Sequence, residues 1–143
     1  MIIFDIDGTL ATVPQTMIDC LADSPRNWDK FYRIAAQTKP IHATCTILKT
    51  LALSGKHIVF MTGRDAKHRE MTEHWLHRHG LWAEHSILFM RPEGDRRDDS
   101  VIKRELSAPF VTQIELVFED RDRVVNMWRE LGIPCFQVAK GDF

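Results

Sequence analysis

No apolar run in the 143 residues is long enough to cross a bilayer, and the opening Met1-Ile-Ile-Phe is too short for a secretory signal. Membrane insertion is excluded on this reading, and the cytoplasm is the expected compartment. The cysteines, Cys20, Cys45 and Cys135, are odd in number, far apart and without a CxxC pair, which argues against a disulfide framework and a structural zinc site. HExxH is absent as well, and His74, His77 and His79 do not share a face with carboxylates, so zinc is not expected. The GxxxxGK[ST] loop of nucleoside triphosphate-binding proteins is missing, as are repeats and low-complexity stretches. Charge of one sign is also missing. A formal net charge of -1 excludes a globally basic nucleic-acid protein and leaves room only for a local basic patch.

What remains has the composition of an ordinary globular protein, 44% apolar and 27% charged, with a length that suits a single domain over 1–143. Short apolar segments rich in branched residues at 2–6, 57–62, 86–90, 113–119 and 135–138 read as strands. Between them, apolar residues recur at helical spacing over 44–54, 66–79 and 122–131, ending at Gly55, Gly80 and Gly132. Strands alternating with helices predict right-handed crossovers and a three-layer α/β sandwich, Rossmann-like, around a central parallel sheet. Residues 11–42 break the rhythm with three prolines and a helix expected over 28–36, and read as a small cap. The aromatic trio Trp28, Phe31 and Tyr32 on that helix is either core or a base-stacking surface.

Ligands of such sheets sit beyond the carboxyl ends of the strands. Here those ends read Asp5-Ile-Asp7-Gly8-Thr9, Thr62-Gly63-Arg64-Asp65, Arg91-Pro-Glu-Gly-Asp95 and Glu119-Asp120-Arg121-Asp122. An apolar strand running into DxDGT arises by chance in roughly one chain in a thousand of this length. Asp5 suits a nucleophile toward phosphorus once a hard cation suppresses its repulsion from phosphate, and Asp5 with Asp120 suits magnesium. Asp7 is placed to act as acid and base, Gly8 to turn the backbone, and Thr9 to fasten the loop. Thr62 and the following N–H groups suit an anionic oxygen, with helix capping as its ordinary alternative. Arg64 offers a planar donor fork for phosphate. Lys103, four residues after Asp99, either neutralises a phosphoryl group or makes an exposed ion pair. Asp120 and Asp122 also suit helix caps.

In this order FDIDGT, MTGR, Lys103 and FEDRD resemble the motifs of the haloacid dehalogenase-like (HAD-like) phosphatases. Residues 88–143 resemble the 3′-phosphatase domain of phage-type polynucleotide kinase/phosphatases. The resemblance implies a phospho-aspartyl intermediate on Asp5, acid-base work by Asp7, and phosphate binding by Thr62, Gly63, Arg64 and Lys103. It implies Mg²⁺ held by Asp5, the Asp7 carbonyl and the Glu119/Asp120 pair, with Asp120 favoured as direct ligand. It also implies that Asp99 orients Lys103, and that a phage-encoded chain would work in the host cytoplasm. With no kinase motif, 5′-phosphorylation is not expected, and Glu119 departs from the Asp-Asp of the phage enzymes.

The expected substrate is a phosphorylated nucleic-acid end, its backbone tracked by Arg64, Lys67, Arg69, Arg91, Arg96 and Arg97. A phosphatase for free nucleotides or another small ester is the second reading, and a non-catalytic binding module the third. No obligate protein partner is indicated.

Overall fold

In the computed structural model, which describes residues 1–141, the chain follows the expected alternation. Its strands are β1 (Ile2–Phe4), β2 (Ile58–Asp65), β3 (Ile87–Arg91), β4 (Leu116–Arg121) and β5 (Cys135–Gly141). Its α-helices are α1 (Gln15–Ala22), α2 (Trp28–Ala35), α3 (His42–Leu53), α4 (Arg69–Arg78), α5 (Asp99–Ser107) and α6 (Asp122–Glu130). All pairings are parallel, in the order β3-β2-β1-β4-β5.

β1 lies in the middle because it is apolar at every position and can be covered on both faces. Ile2 and Phe4 point into one core with Leu48 of α3, Phe60 of β2 and Trp75 of α4. Ile3 points the other way, into a second core with Val59, Val117 and the α6 residues Val124 and Trp128. The sandwich therefore has α3 and α4 on one side and α6 on the other. Among the described residues no helix is long and apolar enough to cross a membrane.

The cap over residues 11–42 contains one helix more than the sequence reading anticipates. α1 and α2 pack on each other through Met17, Cys20, Phe31, Tyr32 and Ala35, and Met71 of α4 packs against them. The cap's two ends are tied together, Ala11 bridging Pro40 and Thr12 N–H donating to Lys39 O at 2.9 Å. The aromatic trio divides: Phe31 and Tyr32 are core, whereas Trp28 is 42% exposed.

The helix-capping alternatives for Thr62, Asp120 and Asp122 are not what the structure shows. β2 continues past Thr62 to Asp65 through a register shift, so Thr62 caps nothing and Asp65 accepts the Lys67 N–H of the 3₁₀ turn Ala66–His68. α6 starts at Asp122 with no side-chain cap bond; Asp120 remains in β4, and Asp122 accepts from Gln137 Nε2 at 2.6 Å.

Candidate active site

The order of the sheet reverses at β1, so β2 and β4 flank it and their carboxyl ends border one crevice. Asp5 extends β1 by one rung, its N–H donating to Phe118 O at 3.0 Å. Beyond it the chain coils around the buried Ile6, whose carbonyl accepts the N–H groups of Leu10 at 2.9 Å and Ala11 at 2.8 Å. Gly8 makes this coil possible, with φ +89 and no room for a side chain: a Cβ there would lie 2.2 Å from Asp120 Oδ2. Gly8→Ala is therefore expected to displace Asp120, cost about 1–3 kcal/mol and lower metal affinity, checked by thermal unfolding and a magnesium titration. Thr9 fastens the loop through its carbonyl, which accepts from the Thr44 hydroxyl, while its own buried hydroxyl has no partner among the described residues.

Lys103 reaches in from α5 with 2% of its surface exposed. Its Nζ stands 2.6 Å from Asp5 Oδ1 and 2.6 Å from Glu119 Oε2. The ammonium is thus buried between two carboxylates, and the expected alternative of an exposed pair with Asp99 is not what the structure shows. Burial works against its charge, but Asp5 and Glu119 outweigh burial and hold its pKa above the ordinary value. Glu119 is satisfied on both sides, because Oε1 accepts the N–H of Asp120 at 3.1 Å and of Arg121 at 3.2 Å. Asp120 is not: its Oδ1 is buried with no partner among the described residues.

One oxygen from each of Asp5, Glu119 and Asp120 falls within 4.8 Å of the others. Three ionised carboxylates against one ammonium leave two negative charges, which one divalent cation neutralises. Burial, then Glu119, pushes Asp120 up to about 7. The same causes raise Asp5 well above the usual carboxylate range, with Lys103 opposing them. Crowded acids, an orphaned buried oxygen and a two-charge deficit are what a hard cation site needs.

Arg64 is placed differently from expectation. It is 2% exposed, and its fork is occupied by Asp7, Nη2 donating to Oδ1 at 2.6 Å and Nε to Oδ2 at 2.8 Å. The guanidinium therefore holds a carboxylate of the DxD loop where the sequence reading had it presented to phosphate. Burial opposes its charge and Asp7 outweighs burial, raising its pKa.

Asp99 likewise does not touch Lys103 through a hydrogen bond; it is gripped by Arg91 from β3 and Arg121 from β4. It also packs on Gly63, where a Cβ would meet Asp99 Oδ1 at 2.4 Å, and Arg91 Nε donates to Gly63 O at 2.8 Å. This clamp fixes the loop after Thr62, whose Oγ1 accepts the Arg64 N–H at 3.2 Å. The sequence reading assigns no role of this kind to Arg121, Tyr32 or Gly141. Tyr32 accepts the Asp65 N–H at 2.9 Å, bolting the cap to β2, and a Cβ on Gly141 would lie 2.4 Å from Asp120 Oδ2. Arg121 is marked there only by its strand-end position and Tyr32 only as one of the aromatic trio; Gly141 is a tertiary contact without a motif.

Most of the expected track of basic residues has partners within the chain. Arg64 and Arg91 are committed as above, Arg69 binds Glu73 and Leu88 O, and Arg97 binds Asp95 and Glu105. Lys67 and Arg96 alone of that set have no side-chain partner among the described residues.

Comparison with known proteins places this arrangement. The family model described as the polynucleotide kinase PNKP phosphatase domain matches residues 1–143. A putative bifunctional polynucleotide kinase/RNA ligase of Autographa californica nuclear polyhedrosis virus is 30% identical, aligning with 97% of this chain and 19% of its own length. A chain of the Pnkp1/Rnl/Hen1 RNA repair complex is 33% identical with a TM-score of 0.81, covering 99% of this chain and 43% of that one. A second structure of a Pnkp1/Rnl/Hen1 complex gives 31% and 0.79, covering 99% of this chain and 46% of that one. The chain thus spans about a fifth of the viral relative and under half of the solved ones. With the family model covering its whole length, the chain belongs to the polynucleotide kinase phosphatase domains of the HAD-like superfamily.

Proposed function

We propose that this domain is a magnesium-dependent phosphomonoesterase that removes a 3′-phosphate from a nucleic-acid end through a phospho-aspartyl intermediate on Asp5. The observation that carries the reading is the Asp5 carboxylate, held at the end of the central strand by Lys103 and faced by the unpartnered Asp120 oxygen. Asp5 would bond to phosphorus as the bond to the leaving alkoxide breaks, and Asp7 would give that alkoxide its proton. Asp7 would then take a proton from the water that releases inorganic phosphate and returns Asp5. Two hydrogen bonds from Arg64 fix the Asp7 carboxyl group in place for both steps, so Arg64 positions it.

Mg²⁺, when bound, would supply the positive charge that lets an anionic nucleophile approach a phosphate. Asp5, Asp120 and the Asp7 carbonyl would hold it, with Glu119 behind them. Glu119 has its oxygens engaged, so Asp120 is the better direct ligand. Lys103 would offset the transferring phosphoryl charge, and the Thr62 and Gly63 end of β2 would face its oxygens.

A nucleic-acid substrate is supported by the family and by relatives named for polynucleotide kinase and RNA repair. Association with a partner protein, as in the solved complexes, belongs to the same proposal. Phosphate release from 3′- and 5′-phosphorylated DNA and RNA, compared with free nucleotides in magnesium and in chelator, tests it. Faster turnover of mononucleotides than of 3′-phosphorylated strands would favour the small-ester reading and end this one.

The raised carboxyl groups add a pH signature. A carboxyl whose pKa rises on folding, as Asp120 rises from 3.8 to about 7, contributes stability that is full below the unfolded value and lost as pH climbs through the folded one. Metal-free protein should therefore lose thermal stability between about pH 4 and 7 through this group. Magnesium competes with the protons, so its stabilisation should be larger at pH 8 than at pH 5.5. At a hundredfold excess over Kd it amounts to about 2.7 kcal/mol, or roughly 5–10 °C for a domain near this size, read by thermal unfolding at both pH values.

A further inference from the structure

Outside the acidic crevice, the cap carries a second concave surface. A shallow groove of about 640 Å³, open to solvent, runs along the α1–α2 turn and is lined by Asp23, Arg26, Trp28, Asp29 and Lys67. Being open, it suits a flat ring laid against its wall rather than an enclosed small molecule. Trp28 lies in the first turn of α2, its ring 5.5 Å from Phe31 and 6.2 Å from Tyr32 between centroids, so its position is braced from behind. Tyr32 continues the row onto His68, stacked at 3.6 Å. The row ends at the active site, because Tyr32 accepts the N–H of Asp65, the neighbour of the Arg64 that grips Asp7.

The charges facing the groove decide what fits it. The side chains of Arg26, Lys67, Asp23 and Asp29 form no ion pair among the described residues, in contrast to the tied-up cations around β3. Two cations against two carboxylates sum to no net charge, a poor surface for a polyanionic backbone. Such a set does suit a neutral flat ring that stacks on an indole and presents donors and acceptors at its edge.

We infer that Trp28 is the stacking platform for a nucleobase of the substrate strand near its phosphorylated end. This rests on the proposed nucleic-acid substrate and adds the group that would be recognised.

The test compares wild type, Trp28→Ala and Trp28→Phe on a single-stranded 3′-phosphorylated oligonucleotide and on an aryl phosphate, which has no base. Trp28→Ala is expected to lower the ratio of kcat/KM for the oligonucleotide to that for the aryl phosphate about tenfold, through KM, with Trp28→Phe keeping most of it. An unchanged ratio in Trp28→Ala overturns the inference while leaving the proposed function intact. Wild type that shows no preference for the oligonucleotide ends the proposed function instead. The inference is then decided by binding of a fluorescent unphosphorylated single strand: about tenfold weaker binding to Trp28→Ala supports it, and equal binding overturns it. Thermal unfolding of both variants separates a lost contact from a lost fold.

Discussion

Asp5→Asn is expected to reduce phosphate release on the order of 10⁴-fold or more, because the amide has no anionic oxygen to form the bond to phosphorus. The same change should make the metal-free protein more stable at pH 7.5. Burial and the neighbouring Glu119 raise the Asp5 pKa well above the ordinary carboxyl value. A group shifted in that direction weakens the folded state once pH passes its unfolded value, so a neutral side chain of the same shape removes the cost. The loss of one Lys103 bond acts the other way, but Glu119 continues to hold the ammonium at 2.6 Å. Phosphate release together with unfolding in chelator checks both halves. A fall in activity accompanied by an equal fall in stability would mean that Asp5 is structural, and the proposed mechanism would fail.

Lys103→Met removes the cation and keeps the length of the chain. Stability should fall by about 3–5 kcal/mol near neutral pH, the usual result of breaking a buried pair on one side only. Turnover should fall to near background as well, since the side-chain cation bonded to Asp5, which opposes its protonation and would offset the transferring phosphoryl charge, is gone. The deficit should shrink at pH 5.5, where protons take over the role of the ammonium, and denaturant unfolding at two pH values measures this. A uniform loss at both would show that packing of the Lys103 stem, and not its charge, matters.

Much of this site could be read before any coordinates. DxDGT and the Glu-Asp pair are legible because acids that directly follow apolar strands lie at the carboxyl edge of the sheet, where ligands sit, and Lys103 is legible through the order of the motifs. Partner choice was not legible. Nothing in MTGR says whether the Arg64 fork faces phosphate or Asp7, since both offer a pair of anionic oxygens to a guanidinium and Asp7 lies 57 positions away. Asp99 and Lys103 at four-residue spacing suggest each other, yet α5 lies against the ends of β3 and β4, where Arg91 and Arg121 capture Asp99 first. Strand bounds shifted for a similar reason: β2 and β5 run on to Asp65 and Gly141 through register shifts that leave no apolar trace. α1 was missed because the buried face of a two-turn helix amounts to Met17 and Cys20.

The place of β1 in the sheet has a consequence for how the chain comes off the ribosome. The first strand of the sheet is enclosed late: Ile2 pairs with Ile58 on one side and with Leu116 on the other. At about 5–20 residues per second, the second edge of β1 waits on the order of ten seconds for its neighbour. A nascent chain stalled before β4 would present one bare apolar edge of β1, with Asp5 at its end and neither Glu119 nor Asp120 yet beside it.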